Sequence, residues 1–166
     1  MEFVLAKEHD ACEICDLLNT SYRGEQGWTT EYQLVDGDRA TISDVEAEIL
    51  RGSVIFLLYK DNGRLVACIC IEVMNDEAHI GSFAVEPAFQ TIGLGKKVLA
   101  YDENYAINNL GVSTFVMLVL SNRLALIEFY ERRGYLKTGL TKKYPKHLNV
   151  GTPRDSGLTI EYLKKG

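Results

Sequence analysis

The sequence has no apolar run near the roughly 18 residues that a membrane span requires. No basic, apolar and small-residue leader pattern opens it either, so a cytoplasmic location without a membrane partner is expected. Acidic residues outnumber basic ones, and a net charge of −5 argues against nucleic acid, which needs a basic face. No internal repeat, linker or low-complexity stretch interrupts the 166 residues, so one domain over residues 1–166 is expected. Tryptophan occurs once, at Trp28, and cysteine four times. The cysteines form a C-x-x-C (Cys12, Cys15) and a C-x-C (Cys68, Cys70), each inside an apolar pattern. They read as reduced core residues, with no metal site expected.

The charge is uneven: residues 137–166 carry +5 and the first 136 carry −10. "EFVLAK" reads as a strand, and the stripe Cys12, Ile14, Cys15, Leu17, Leu18, Tyr22 as a helix. A glycine-bearing loop from Gly24 to Asp38 follows. Ser43 and Glu46 have the spacing of a capping box for a second helix, closed by Gly52. "SVIFLLYK" and "LVACICIEVM" flank Asn62-Gly63, a strong hairpin signal. "AHIGSFAVE" is a strand stopped by Pro87, and Lys96 to Asn109 a helix with Gly111 as its C′ residue. "STFVMLVLS" suits a strand buried on both faces. "NRLALIEFYERR" is a helix ended by Gly134, and "YLKTGLTKKY" and "GLTIEYLKK" are strands. The order β-α-α-β-β-β-α-β-α-β-β gives an α/β (α+β) fold, with about seven strands in a mixed, mostly antiparallel sheet and four helices.

A glycine-rich turn entering a helix cradles phosphate. "EPAFQTIGLGKK" is such a turn, with Lys96 and Lys97 adding positive charge. It is not a Walker A loop, because Lys97 stands where Ser or Thr is required and Gln90 where the first glycine is. Nor is it the dinucleotide fingerprint, because Val98 replaces the third glycine. It does meet Gln-x-x-Gly-x-Gly through Gln90, Gly93 and Gly95. Further on, "NRLALIEFYERRGY" carries Asn122, Ala125, Tyr130, Gly134 and Tyr135 in an N-x-x-A…Y-x-x-x-G-[FY] arrangement. Together these segments resemble the GNAT superfamily of N-acetyltransferases, strongly over residues 53 to 144.

The resemblance implies acetyl-CoA as co-substrate and acyl transfer to a primary amine by direct attack through a tetrahedral intermediate. It implies that the turn and helix start (Gln90, Thr91, Ile92, Gly93, Leu94, Gly95, Lys96) hold the coenzyme pyrophosphate, and that the strand residues Phe83, Ala84 and Val85 run beside the pantetheine arm. The N–H of Val85 would polarise the thioester carbonyl. "STFVMLVLS" would splay from that strand at its C-terminal end to admit the acetyl group. Asn122 and Ala125 would line the coenzyme site, with Asn122 also a natural N-cap. Tyr130 falls where family members carry the general acid. His79 falls where histone-type members carry a glutamate base, with Glu72 and a water chain as alternatives.

In this family the loop after the first helix helps to build the acceptor pocket, which brings in Tyr22, Arg23 and Trp28. Arg23 could meet an acceptor carboxylate or pair with Glu25 or Glu31. The acids of the loop suit a cationic amine, whereas the basic C-terminal segment suits an acidic one. A small-molecule amine is the favoured acceptor; a protein or peptide amine, a non-catalytic coenzyme A-binding sensor and an interaction module are the alternatives. The family's habit of pairing also leaves a homodimer open.

Overall fold

The computed structural model describes residues 2–145, 148 and 150–166. The chain runs β1 (Glu2–Leu5), α1 (Ala11–Arg23), β2 (Val35–Asp36), α2 (Ile42–Leu50), β3 (Val54–Asp61), β4 (Arg64–Met74) and β5 (Glu77–Val85). It continues through α3 (Leu94–Tyr105), β6 (Phe115–Leu120), α4 (Leu124–Glu131), β7 (Leu136–Lys143), β8 (Thr152–Pro153) and β9 (Thr159–Lys165). Seven strands form one sheet in the order β1-β3-β4-β5-β6-β9-β7, and β2 pairs with β8 in a small separate ladder that the sequence patterns do not announce. Among the described residues the sheet is antiparallel except where β5 meets β6, across the α3 crossover.

The tight turns follow their residues. Asn62 and Gly63 have φ of 52° and 79°, and Asn75 and Asp76 have 51° and 61°. Both pairs give the positive angles that two-residue hairpins require, so β3, β4 and β5 form one meander. The Asn62-Gly63 turn is the one expected; the second is carried by Asn and Asp without a glycine.

β3 and β4 are buried on both faces. Leu57, Tyr59, Ile69 and Ile71 pack with Val98, Leu99 and Ile127 of α3 and α4. Phe56, Leu58, Cys68 and Cys70 point the other way, toward Ile14, Leu18 and Val45 of α1 and α2. Burial pushes the Cys70 thiol up to about 12 and the Cys68 thiol further, so neither is a ready thiolate. Cys15 is also buried, but Cys12 is exposed and does not belong to the core.

Three helix starts differ from the sequence reading. Thr41, rather than Ser43, caps α2, its hydroxyl accepting from the Asp44 N–H at 3.1 Å. Asn122 does not cap α4: Arg123 occupies the cap position, without a side-chain capping bond. The helix after the glycine turn begins at Leu94, two residues earlier than the pattern suggests, and widens into a π-turn at Ala106–Leu110. It ends at Gly111, left-handed at φ 67°.

Two features of β5 create the open part of the sheet. Gly81 pairs with Cys70 and Ala84 with Cys68, so Ser82 and Phe83 bulge opposite Ile69, with Ser82 at φ 46°. β6 stays beside β5 only along Ala78–Ile80. Beyond Met117 it continues with β9 alone, leaving β5 without a neighbour on that side from Gly81 onward.

Candidate active site

On the open edge of β5 the backbone groups have a definite direction. Glu86 N–H donates to Val66 O at 2.9 Å. Because direction alternates along a strand, the N–H and C=O of Val85 turn the other way, into the gap. The Val85 carbonyl is met there by Ser21 Oγ at 3.0 Å and Gln90 Nε2 at 2.8 Å.

The glycine turn lies next to this edge. Thr91 and Gly93 take φ of 67° and 85°, and the chain swings into α3 at Gly93. Lys97 is the first residue to donate back, to Gly93 O at 3.1 Å. The N–H groups of Leu94, Gly95 and Lys96 are therefore without helical partners and add to the positive end of the helix dipole. A Cβ on Gly95 would stand 3.8–3.9 Å from Phe129, Phe83 and Val85, so the glycine leaves space inside the groove.

A cavity of about 460 Å³ opens here. Phe83, Ala84, Val85, Gln90, Thr91, Gly93, Gly95 and Lys96 form one side, and Leu126, Phe129, Tyr130, Arg132 and Arg133 of α4 and its end form the other. Arg133 lies 3.7 Å over the Phe129 ring and donates to Phe129 O at 2.8 Å. Burial, reinforced by the Arg132 charge, lowers its pKa. Lys97 points away and donates to Tyr59 Oη at 3.0 Å, so it adds no charge to the groove. Tyr130 is 5% exposed and packs edge-on against Phe129 and Tyr135. Burial pushes its phenol well above the usual value.

Not every expected residue reaches this cavity. Ile92 is exposed and Leu94 turns into the core. Asn122 and Ala125 are exposed and outside its walls. Trp28, expected on the acceptor side, lies here instead, 5.8 Å from Phe129 and 45% exposed. Gln90 Oε1 holds its backbone N–H at 2.6 Å, so this side chain fastens the loop to the end of β5.

A second cavity, of about 320 Å³, adjoins the first. Ile80, Gly81 and Ser82 contribute from β5, His79 and Glu72 face it from paired positions, and Tyr22 lines both cavities. His79 stands 4.0 Å from Glu77, and Glu72 is held by Arg51 and by Ser53 at 3.1 Å. Arg23 lines neither cavity. It is buried against Glu31 at 2.8 Å and donates to Gly37 O, Tyr144 Oη and Val150 O. Arg123, a site neighbour not picked out from the sequence, reaches Glu31 from the other side at 3.5 Å and donates to Thr29 O. Its signal was a lone charge at the head of an apolar helix.

The acetyltransferase (GNAT) family model matches residues 12–135, about three quarters of the chain. The chain belongs to the GNAT family. Among curated GNAT relatives, the [Ribosomal protein bS18]-alanine N-acetyltransferase of Escherichia coli K12 is 32% identical over 85 residues, covering 50% of this chain. The match covers 55% of that protein, so the chain spans about half the length of this relative. The S-(2-succino)cysteine N-acetyltransferase of Bacillus subtilis 168 is 26% identical over 154 residues, 88% of this chain and 90% of that one. Spermidine N-acetyltransferase from Vibrio cholerae, solved in complex with CoA and spermine, shares the GNAT fold with a TM-score of 0.71 at 13% identity, covering 98% of this chain and 93% of its own.

Proposed function

We propose that the protein is an acetyl-CoA-dependent N-acetyltransferase acting on the primary amine of a small molecule. The observation that carries this reading is the junction of the two cavities, which meet at Tyr22 and at the bulge of β5, where β6 has left the strand. Transfer between two substrates needs separate seats that share one point of contact.

The first cavity fits the coenzyme. The N–H groups of Leu94, Gly95 and Lys96 would receive its pyrophosphate, with Lys96, Arg132 and Arg133 near the phosphates. When bound, acetyl-CoA supplies the acetyl group as a thioester. The Val85 N–H donates into the gap, where it would stabilise charge growing on the carbonyl oxygen. Tyr130 keeps its proton at neutral pH, because burial disfavours the phenolate, and would give it to the departing sulfur.

The amine must first lose a proton. With a pKa near ~10.4, neutralising it at pH 7 costs about 4–5 kcal/mol. His79 stands four residues before Phe83, ~13 Å along the strand, so it would take the proton through water rather than by direct contact. Glu72 is the weaker candidate, since Arg51 and Ser53 already hold its carboxylate.

A second reading, acetylation of a peptide amine, is favoured by the 32% identity to the bS18-alanine relative. Calorimetry with acetyl-CoA, with ADP as the phosphate-only control, tests the coenzyme seat. Turnover with a panel of small amines and an alanine-headed peptide then separates the two acceptors. Tyr130→Phe should lower kcat by about 10²-fold or more while the acetyl-CoA Kd stays within two-fold. An unchanged kcat would remove Tyr130 from the chemistry. Binding without turnover of any amine would leave a coenzyme sensor, and no binding would remove the acetyltransferase reading.

A further inference from the structure

By residue type the second cavity is acidic, with Glu31, Glu48 and Glu72 on its walls. The pairing reverses that impression. Glu31 is held by Arg23 and Arg123, while Glu48 and Glu72 are both held by Arg51. None of these arginines lines the second cavity, so its acids are neutralised from outside.

Two cations on its walls are placed differently. The Arg39 guanidinium lies 5.1 Å over the Tyr22 ring, and the Lys142 ammonium 5.8 Å over the Tyr162 ring. Among the described residues neither has a carboxylate within 4.0 Å. The four residues outside the description, Met1, Lys146, His147 and Asn149, carry no side-chain carboxylate. A guanidinium resting on an aromatic face keeps its N–H edge free for a bidentate carboxylate. Arg39 is also held in place: Asn19 Oδ1 accepts from its backbone N–H at 2.8 Å and from that of Ala40 at 2.9 Å. The volume of about 320 Å³ lies at the small end of ligand sites.

We infer that the acceptor is a small amine that itself carries carboxylate groups, which sit on Arg39 and Lys142 while the amine points to the junction at Tyr22. This rests on the acetyltransferase reading above. A polyamine would bring like charge to both cations, and a neutral peptide end would leave them unpaired.

The test uses the full chain with acetyl-CoA and four amines: S-(2-succino)cysteine, aspartate, aspartate dimethyl ester and spermidine. Acetylation of the two acids should exceed that of the ester and of spermidine at least ten-fold in kcat/KM. Arg39→Gln and Lys142→Gln should each raise KM for the acids about ten-fold or more, leave the acetyl-CoA Kd unchanged, and lose the preference over the ester. Arg39→Lys should recover part of it. Lys142 is exposed on β7, so its variant reads out even if Arg39→Gln disturbs packing on Tyr22. Turnover that favours spermidine or the ester, or a KM unmoved by both variants, overturns the inference and leaves the enzyme reading intact. Loss of acetyl-CoA binding in the unaltered chain overturns the enzyme reading itself.

Discussion

Asp102 stands in the middle of α3 with no exposed surface, and neither carboxyl oxygen has a hydrogen-bond partner among the described residues. Burial raises its pKa well above the ordinary carboxylate value, and the neighbouring Glu103 charge adds to this. The folded chain thus holds a proton that the unfolded chain releases more readily. The penalty is absent below the unfolded value near 3.8 and grows as pH rises from there toward the folded value. Asp102→Asn should stabilise the protein by about 1–3 kcal/mol at neutral pH. Urea denaturation at pH 7 and pH 4 checks this, since the gain should shrink at the lower pH. Nothing in the alternation of the sequence marks Asp102, which follows three residues behind Leu99 on a stripe that happens to face the core. Cys12 is the opposite case: an apolar pattern includes it, and the helix turns it outward.

At the scale of elements, the strand–turn–helix unit of β5, the glycine turn and α3 was legible because each signal is local. Pro87 ends the strand, Gly93 adopts a left-handed angle that other residues take at a cost, and the helix follows. Gly95 has an ordinary φ, and its missing side chain matters for space instead. Gly95→Val should weaken acetyl-CoA binding at least ten-fold by filling the groove between Phe83 and Phe129, with Tm changed by only a few degrees. Calorimetry and a thermal melt separate the two effects. Helix starts were less legible, because several residues near each start can cap. Thr41 and Ser43 are both competent, and the path of the loop brings Thr41 to the Asp44 N–H. The departure of β6 from β5 depends on which strand β6 pairs with on its other side, β9, whose paired residues lie 40 to 50 positions further along the chain.

Across the whole molecule, Glu31 ties three distant segments together: Arg23 at the end of α1, its own loop, and Arg123 at the head of α4. All three side chains are under 10% exposed, and Arg123 Nε has no partner among the described residues. Glu31→Gln would leave two buried guanidiniums without their counter-charge. Stability should fall by about 3–5 kcal/mol, read as a lower urea midpoint. Glu31 lines the second cavity while Trp28 and Thr29 of the same loop line the first, and Gln90 holds Trp28 beside the glycine turn.

The sequence by itself determined the order of the four helices and the seven strands of the main sheet, the hairpin at Asn62-Gly63, the helix end at Gly111, and the two segments that announce the family. These depend on residues within a few positions of one another, where backbone angles and periodicity act. It did not determine the small β2–β8 ladder or the stop of α4 at Glu131, short of Gly134. The tertiary structure alone decided which charges are spent and which are free. Arg23 and Glu31 stand 8 residues apart, and Arg123 and Glu31 stand 92 apart. In the sequence the loop's acids suit a cation and the basic C-terminal segment an acid, and both readings stay open. The fold sets arginines against Glu31 and leaves Arg39 and Lys142 on the walls of the second cavity. Electrostatic character follows distance in space, and only packing sets that distance.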